Sequence, residues 1–230
     1  MLFRSKFIHF ATKLHSFFII PLYRNRLFTM NKKLIRYLVF FAALLIAFYS
    51  GLVYFTDFEK VKLPVINTVQ AFSFTRHDGK QVSQLDVKNR VYVAEYFFTT
   101  CKGICPKMNK NMKEVYAAYR SNPEFLIISH TVNPETDSIP VLKHYADSIG
   151  ALVNNWWFVT GSKESLYKTA RESYLLDDPK NSSININDQF LHTQFFTLVD
   201  KQGRVRGIYD GIKKDEVKQL LMDIKELLAE

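Results

Sequence analysis

VYVAEYFFTTCKGICPKM, residues Val91 to Met108, is the stretch that decides the fold. Its first eight residues are β-branched, aromatic or aliphatic apart from Glu95, the composition of a central strand. Pro106 then fits a first helical turn, where its missing N–H has no intrahelical partner to lose. Met108, Met112, Val115 and Tyr119 recur at helical spacing, so 104–120 reads as an amphipathic helix.

The only two cysteines, Cys101 and Cys105, fall at this strand-to-helix turn. Free amides and the helix dipole favour thiolate there. An i, i+4 spacing on a helix puts Cβ atoms about 5–6 Å apart. With local adjustment that suits a disulfide, and it also suits two ligands on one soft metal ion. Packing as two small hydrophobes is the third possibility. A bridge closing so short a loop adds little stability, which argues against a purely structural disulfide.

Working outward, strands and helices alternate. FLIISHTV (125–132) is a second strand, Ile139 to Ile149 a helix closed by Gly150, and WWFV (156–159) a third strand. Ser162, with Glu164 and Ser165, opens a short helix running to about Ser173. FFTLVD (195–200) and VRGIYD (205–210) flank Lys201-Gln202-Gly203 as a hairpin, with Arg204 and Arg206 on a solvated strand face, and Lys214 to Leu228 forms a last helix. Upstream, AFSFTRHDGKQVSQLDV reads as another hairpin around Asp78-Gly79. The class is α/β with a mixed sheet flanked by helices. DDPKNSSININDQ (177–189) is a long polar loop leading to His192.

The formal charge of +9 is not spread evenly: residues 1–56 hold eight of the 31 basic residues and none of the 22 acidic ones. The remainder of the chain is therefore nearly neutral, which argues against a nucleic-acid partner. The basic block precedes LVFFAALLIAFYSGLVYF (Leu38–Phe55), an uncharged run long enough to span a bilayer. Basic residues before it and Asp57 and Glu59 after it place the N-terminus in the cytoplasm. The expected organisation is a basic segment 1–33, an anchor 34–56, a tether 57–65 and an exported domain 66–230. Met30 opens a complete basic-then-apolar signal by itself, so 1–29 reads as an upstream extension.

Three segments, YFFTTCKGICPKM, TVNPETDSIPVLKHYA and FLHTQFFTLVDKQGRVRGIYDG, together with the anchor, resemble the Sco (synthesis of cytochrome c oxidase) copper-chaperone family over about residues 65–228. The resemblance implies a thioredoxin-like fold and a copper site, Cu(I) or Cu(II), with Cys101 and Cys105 as thiolate ligands and His192 as the imidazole ligand; the two cysteines would also form a reversible disulfide. Two thiolates and an imidazole suit copper on chemical grounds as well. It further implies a metallochaperone in a bacterial inner membrane, its domain facing the periplasm. Its partners would be the copper-bearing subunit of cytochrome c oxidase and a thiol reductant protein. Departures from the family pattern are Lys102, Gly103, Asn133 in place of the Asp of VDPE, and Leu191 where an Asp often precedes the ligand His; Asp188 is the candidate substitute partner.

The alternative function is a thiol-disulfide oxidoreductase. Cys101 would then be the nucleophile, Cys105 the resolving thiol, and Glu95, six positions upstream as in thioredoxins, the proton carrier. His130 reads as structural and His144 as a surface residue.

Overall fold

The computed structural model describes residues 31–55 and 62–230; the expected extension 1–29 and most of the expected tether lie outside them. Two units result. In the first, helix α1 (Lys32–Phe55) carries a 21-residue stretch, Lys32–Leu52, long and apolar enough to cross a membrane. At 1.5 Å per residue it reaches about 30 Å, the thickness of a bilayer's hydrocarbon core.

The second unit is built on one eight-stranded sheet. Its centre is three parallel strands, β4 (Val91–Phe97), β5 (Phe125–Thr131) and β6 (Trp156–Thr160). Every residue of β4 and β5 is buried, as a parallel strand covered on both faces must be. Beside β4 run β7 (Phe195–Val199), antiparallel to it, then β8 (Arg204–Asp210), antiparallel to β7, and a two-residue edge strand β1 (Asn67–Thr68). Beyond β6 lies the hairpin β2 (Ser73–Arg76) and β3 (Gln81–Ser83). Gly79 takes φ 86° in its turn, a conformation that favours glycine.

Helices α2 (Cys105–Tyr119), α3 (Ile139–Ile149) and α5 (Lys214–Ala229) cover one face. Met108, Met112 and Val115 of α2 are fully buried there, as their spacing predicts. Gly150 ends α3 in the left-handed region, φ 74°. The opposite face carries α4 (Lys163–Lys168), which the Ser162 side chain caps by accepting from the Ser165 amide, and which continues as a π turn to Ser173.

Three sequence expectations change. Arg206 is not solvated. It is 3% exposed and donates to the Asp200 carboxylate, to Glu230 and to the carbonyl of Leu63. Half-exposed Arg204 shares Asp200 with it. Strand β1 stands just after the expected tether, and Leu63 within that tether already packs on the core. The polar loop 177–189 folds into two 3-10 turns, Pro179–Ser183 and Ile186–Asp188. A nearly buried Arg171–Asp177 ion pair secures it, and Arg171 also donates to Gln189.

Candidate metal centre

Topology gathers three loops at one end of the sheet. The C-terminal ends of parallel β4 and β5 lead into the cysteine loop and into the 132–138 segment. Antiparallel β7 starts at this same end, so the His192 loop enters there. Loops at the carboxyl ends of parallel strands are where α/β proteins place their sites.

Cys101 lies in the loop before α2 and is half-buried; Cys105 is the first residue of α2 and is buried. Both thiols are free, and each shifts the other's pKa. Burial pushes the Cys101 thiol up, but hydrogen bonds from the Cys105 thiol and from the amides of Cys105, Gly103 and Ile104 outweigh it and hold the pKa below its ordinary value. Cys105 goes the other way, raised by burial and by the proton it shares with Cys101. The helix start therefore favours one thiolate, not two.

Behind the thiols lies a set of buried polar groups. Alternation along β4 turns Glu95 to the α2 side with Val91, Val93 and Phe97. Its Oε1 accepts from the Ser129 hydroxyl at 2.6 Å, and Ser129 in turn accepts from Trp156 Nε1 at 2.9 Å. Oε2 has no partner. Burial raises the Glu95 carboxyl to about 7, against a smaller lowering by Ser129. Tyr145 of α3 accepts from the Asn109 side-chain amide. Its hydroxyl is pushed up by burial and then by the nearby charges of Glu95, Cys105 and Cys101. These couplings put Glu95, Tyr145 and both thiols in one electrostatic neighbourhood.

Sequence reasoning missed Asp137. It is completely buried and accepts from the amide and hydroxyl of Thr99 and from the Thr131 hydroxyl. This ties the residues just before Cys101 to the end of β5. The signal was present in TVNPETDS, as a carboxylate following a strand end rich in hydroxyls.

His192 is exposed. Its neighbour Leu191 is buried, and the Leu191 amide donates to the Tyr167 hydroxyl at 3.1 Å. Leu191 is therefore a packing residue and gives the histidine no polar partner. Asp188 is exposed in its 3-10 turn and makes no hydrogen bond to His192 among the described residues. Phe190, two residues before His192, packs edge-on to Phe98, three before Cys101, with ring centroids 5.6 Å apart. Even so, no three His, Cys, Asp or Glu side chains are gathered as a metal-binding group among the described residues. The structure unites the two thiols and leaves His192 on the adjoining loop, outside them. His130 is buried and stacks on Tyr96 at 4.8 Å, and His144 is exposed.

A family model described as SCO1/SenC matches residues 62–229. The SCO1 protein homolog of Bacillus subtilis (strain 168) is 31% identical over 171 residues, 73% of this chain and 86% of that protein. The solved structure of BsSco, reported with a disulfide switch and as a member of the Sco family of cytochrome c oxidase assembly proteins, is 30% identical with a TM-score of 0.62, covering 74% of this chain and 99% of that one. Bradyrhizobium japonicum ScoI, solved with copper bound, shares the fold at 21% identity and a TM-score of 0.55, over 70% of this chain and 99% of that one. The chain belongs to the SCO1/SenC family and has its thioredoxin-like fold.

Proposed function

We propose that this protein is a membrane-anchored copper carrier for respiratory oxidase assembly, held by α1 in a bacterial inner membrane with residues 66–230 in the periplasm. The observation that carries the reading is the reduced Cys101–Cys105 pair at the sheet end, with Cys101 half-exposed and its thiol pKa held below the ordinary value. Copper is the cargo. Cys101 and Cys105 hold it as thiolates after losing their protons, and His192 completes the set when its loop turns toward them. Cys101 is the more exposed sulfur, so thiolates of the acceptor, the copper-bearing subunit of cytochrome c oxidase, displace the ligands from that side, one at a time. BsSco, a member of a family of oxidase assembly proteins, supports this reading by its similarity.

Anaerobic Cu(I) titration of the reduced full-length chain in detergent, against a competing chelator, tests it. Cys101→Ser and Cys105→Ser are each expected to abolish tight binding. Unchanged affinity in both variants would rule the site out.

The buried Glu95 favours a second reading, reduction of the acceptor's disulfide. Cys101 thiolate attacks one sulfur of the acceptor disulfide, the acceptor S–S bond breaks with the other sulfur leaving as thiolate, and a mixed disulfide forms. Glu95 takes the Cys105 proton, and Cys105 then attacks Cys101 Sγ, releasing the second acceptor thiol. Two electrons pass from the pair to the acceptor, and a thiol reductant protein must reopen the Cys101–Cys105 disulfide. Glu95→Gln is expected to slow this reduction at neutral pH and to leave Cu(I) affinity intact. Equal reduction rates would count against the role of Glu95.

A further inference from the structure

Around the cysteine loop the lysines are concentrated at Cys101 and on α2, while the two adjoining loops carry the exposed carboxylates Glu135 and Asp188. Lys102 comes directly after Cys101, and Lys107, Lys110 and Lys113 line the exposed flank of α2; none of the four forms an ion pair among the described residues. Glu114, the one acidic residue of α2, is already paired with Lys214. The exported part as a whole nearly cancels in charge and is net negative without these four lysines, so this flank is a local positive field. At the start of the cysteine loop, Phe190 is 59% exposed although its ring rests on Phe98. An exposed aromatic anchor beside a charged rim is the make-up of a transient protein interface.

We propose that the α2 lysine flank and Phe190 form a docking face for an acidic protein surface that carries the acceptor thiols. This rests on the reading of Cys101 as the sulfur that the acceptor meets. The lysines raise the encounter rate with an acidic partner, and Phe190 sets the register over Cys101. An anionic membrane offers the same charge, but a face pressed onto lipid would cover the sulfur that has to react. A protein is therefore the occupant.

The test uses the reduced full chain in phosphatidylcholine nanodiscs and two single-cysteine peptides, one flanked by aspartates and one by lysines. Each is activated as a thiopyridyl mixed disulfide. Cys101 thiolate attacks the peptide sulfur, the Cys101–peptide disulfide forms, and thiopyridone leaves and is read by its absorbance. Capture of the aspartate peptide is expected to be about tenfold faster at low salt and within about twofold at high salt. The triple variant K107E/K110E/K113E is expected to reverse that order, while its rate with uncharged dipyridyl disulfide stays at the wild-type value. Lys102 is left in place because it adjoins the thiolate. Phe190→Ser is expected to slow both peptides and not the small reagent. Equal capture of the two peptides at low salt overturns the proposal, as does a triple variant that keeps the wild-type order. Protection of Cys101 from dipyridyl disulfide on moving to phosphatidylglycerol discs would assign the face to lipid and overturn it too. Capture needs no copper, so a failed copper titration would sink the carrier reading and leave this result standing.

Discussion

The two loops proposed to share one copper ion are built in opposite ways. The cysteine loop is short and fastened at both ends. Asp137 grips Thr99 before Cys101, and Cys105 is already the first residue of α2. The histidine loop is long, secured at Arg171–Asp177 and at Leu191, and then releases His192 into solvent. One half is set in advance of the metal, and the other has to be brought to it. In the proposed carrier, that asymmetry would let two fixed sulfurs keep the cargo and a detachable third ligand release it.

The largest way to break the contrast is Asp137→Ala. Half-buried Thr99 would lose the acceptor of two donors and buried Thr131 that of one, a loss of about 4 kcal/mol. Urea unfolding of the full chain should show that loss, and Cys101 should lose its selective reactivity toward thiol reagents. A loss below about 1 kcal/mol would mean that the cysteine loop is held by something else.

Glu95→Gln acts within the fixed half with a sign that depends on pH. The folded carboxyl sits near 7, above its ordinary value of 4.5, so the folded state keeps a proton that the unfolded chain gives up. Stability therefore falls as pH rises from about 4.5 through 7, by about 3 kcal/mol in total, and the glutamine variant lacks that fall. His130 has the opposite slope. Its folded value, lowered to about 4 by burial, makes stability fall as pH drops below 6.5. Unfolding free energies of Glu95→Gln measured from pH 4 to 8 should retain only the acid-side loss. A surviving decline toward pH 8 would show that another group causes it.

Tyr167→Phe has the smallest effect and falls on the adaptable half. The Tyr167 hydroxyl bridges the carbonyl of Val132 and the amide of Leu191, both at 3.1 Å. Its removal is expected to cost about 2 kcal/mol and to speed hydrogen exchange at Leu191. Thiol reactivity at Cys101 should not change. If it does, the two loops are one mechanical unit and the contrast fails.

The features legible in the sequence were those whose causes are local. The β-branched and aromatic run of Val91–Phe98, broken only by Ala94 and Glu95, the Asp78-Gly79 turn, the Ser162 cap and the glycine closing α3 each state their conformation within a few residues. What stayed hidden depends on partners brought from far away. Arg206 looks like a surface residue until Asp200 and the Leu63 carbonyl meet it. β1 exists only because β8 offers it an edge. The opposite pKa shifts of the two thiols arise from the deeper burial of Cys105 at the start of α2, which a count of three intervening residues does not express. The resemblance named Cys101, Cys105 and His192. It carried no information that two of them are in contact while the third stands apart.

The most direct test of a fixed thiol pair closed by a movable histidine is a copper titration of the full-length chain comparing wild type with His192→Ala, monitored by thiolate-to-copper charge-transfer absorption. The two preset sulfurs should still take up copper in the variant. Its affinity should be at least about tenfold weaker, its absorption band altered and its release to an acceptor dithiol faster. A variant that matches wild type in affinity, spectrum and release rate would contradict the proposal that the histidine loop closes over the thiols.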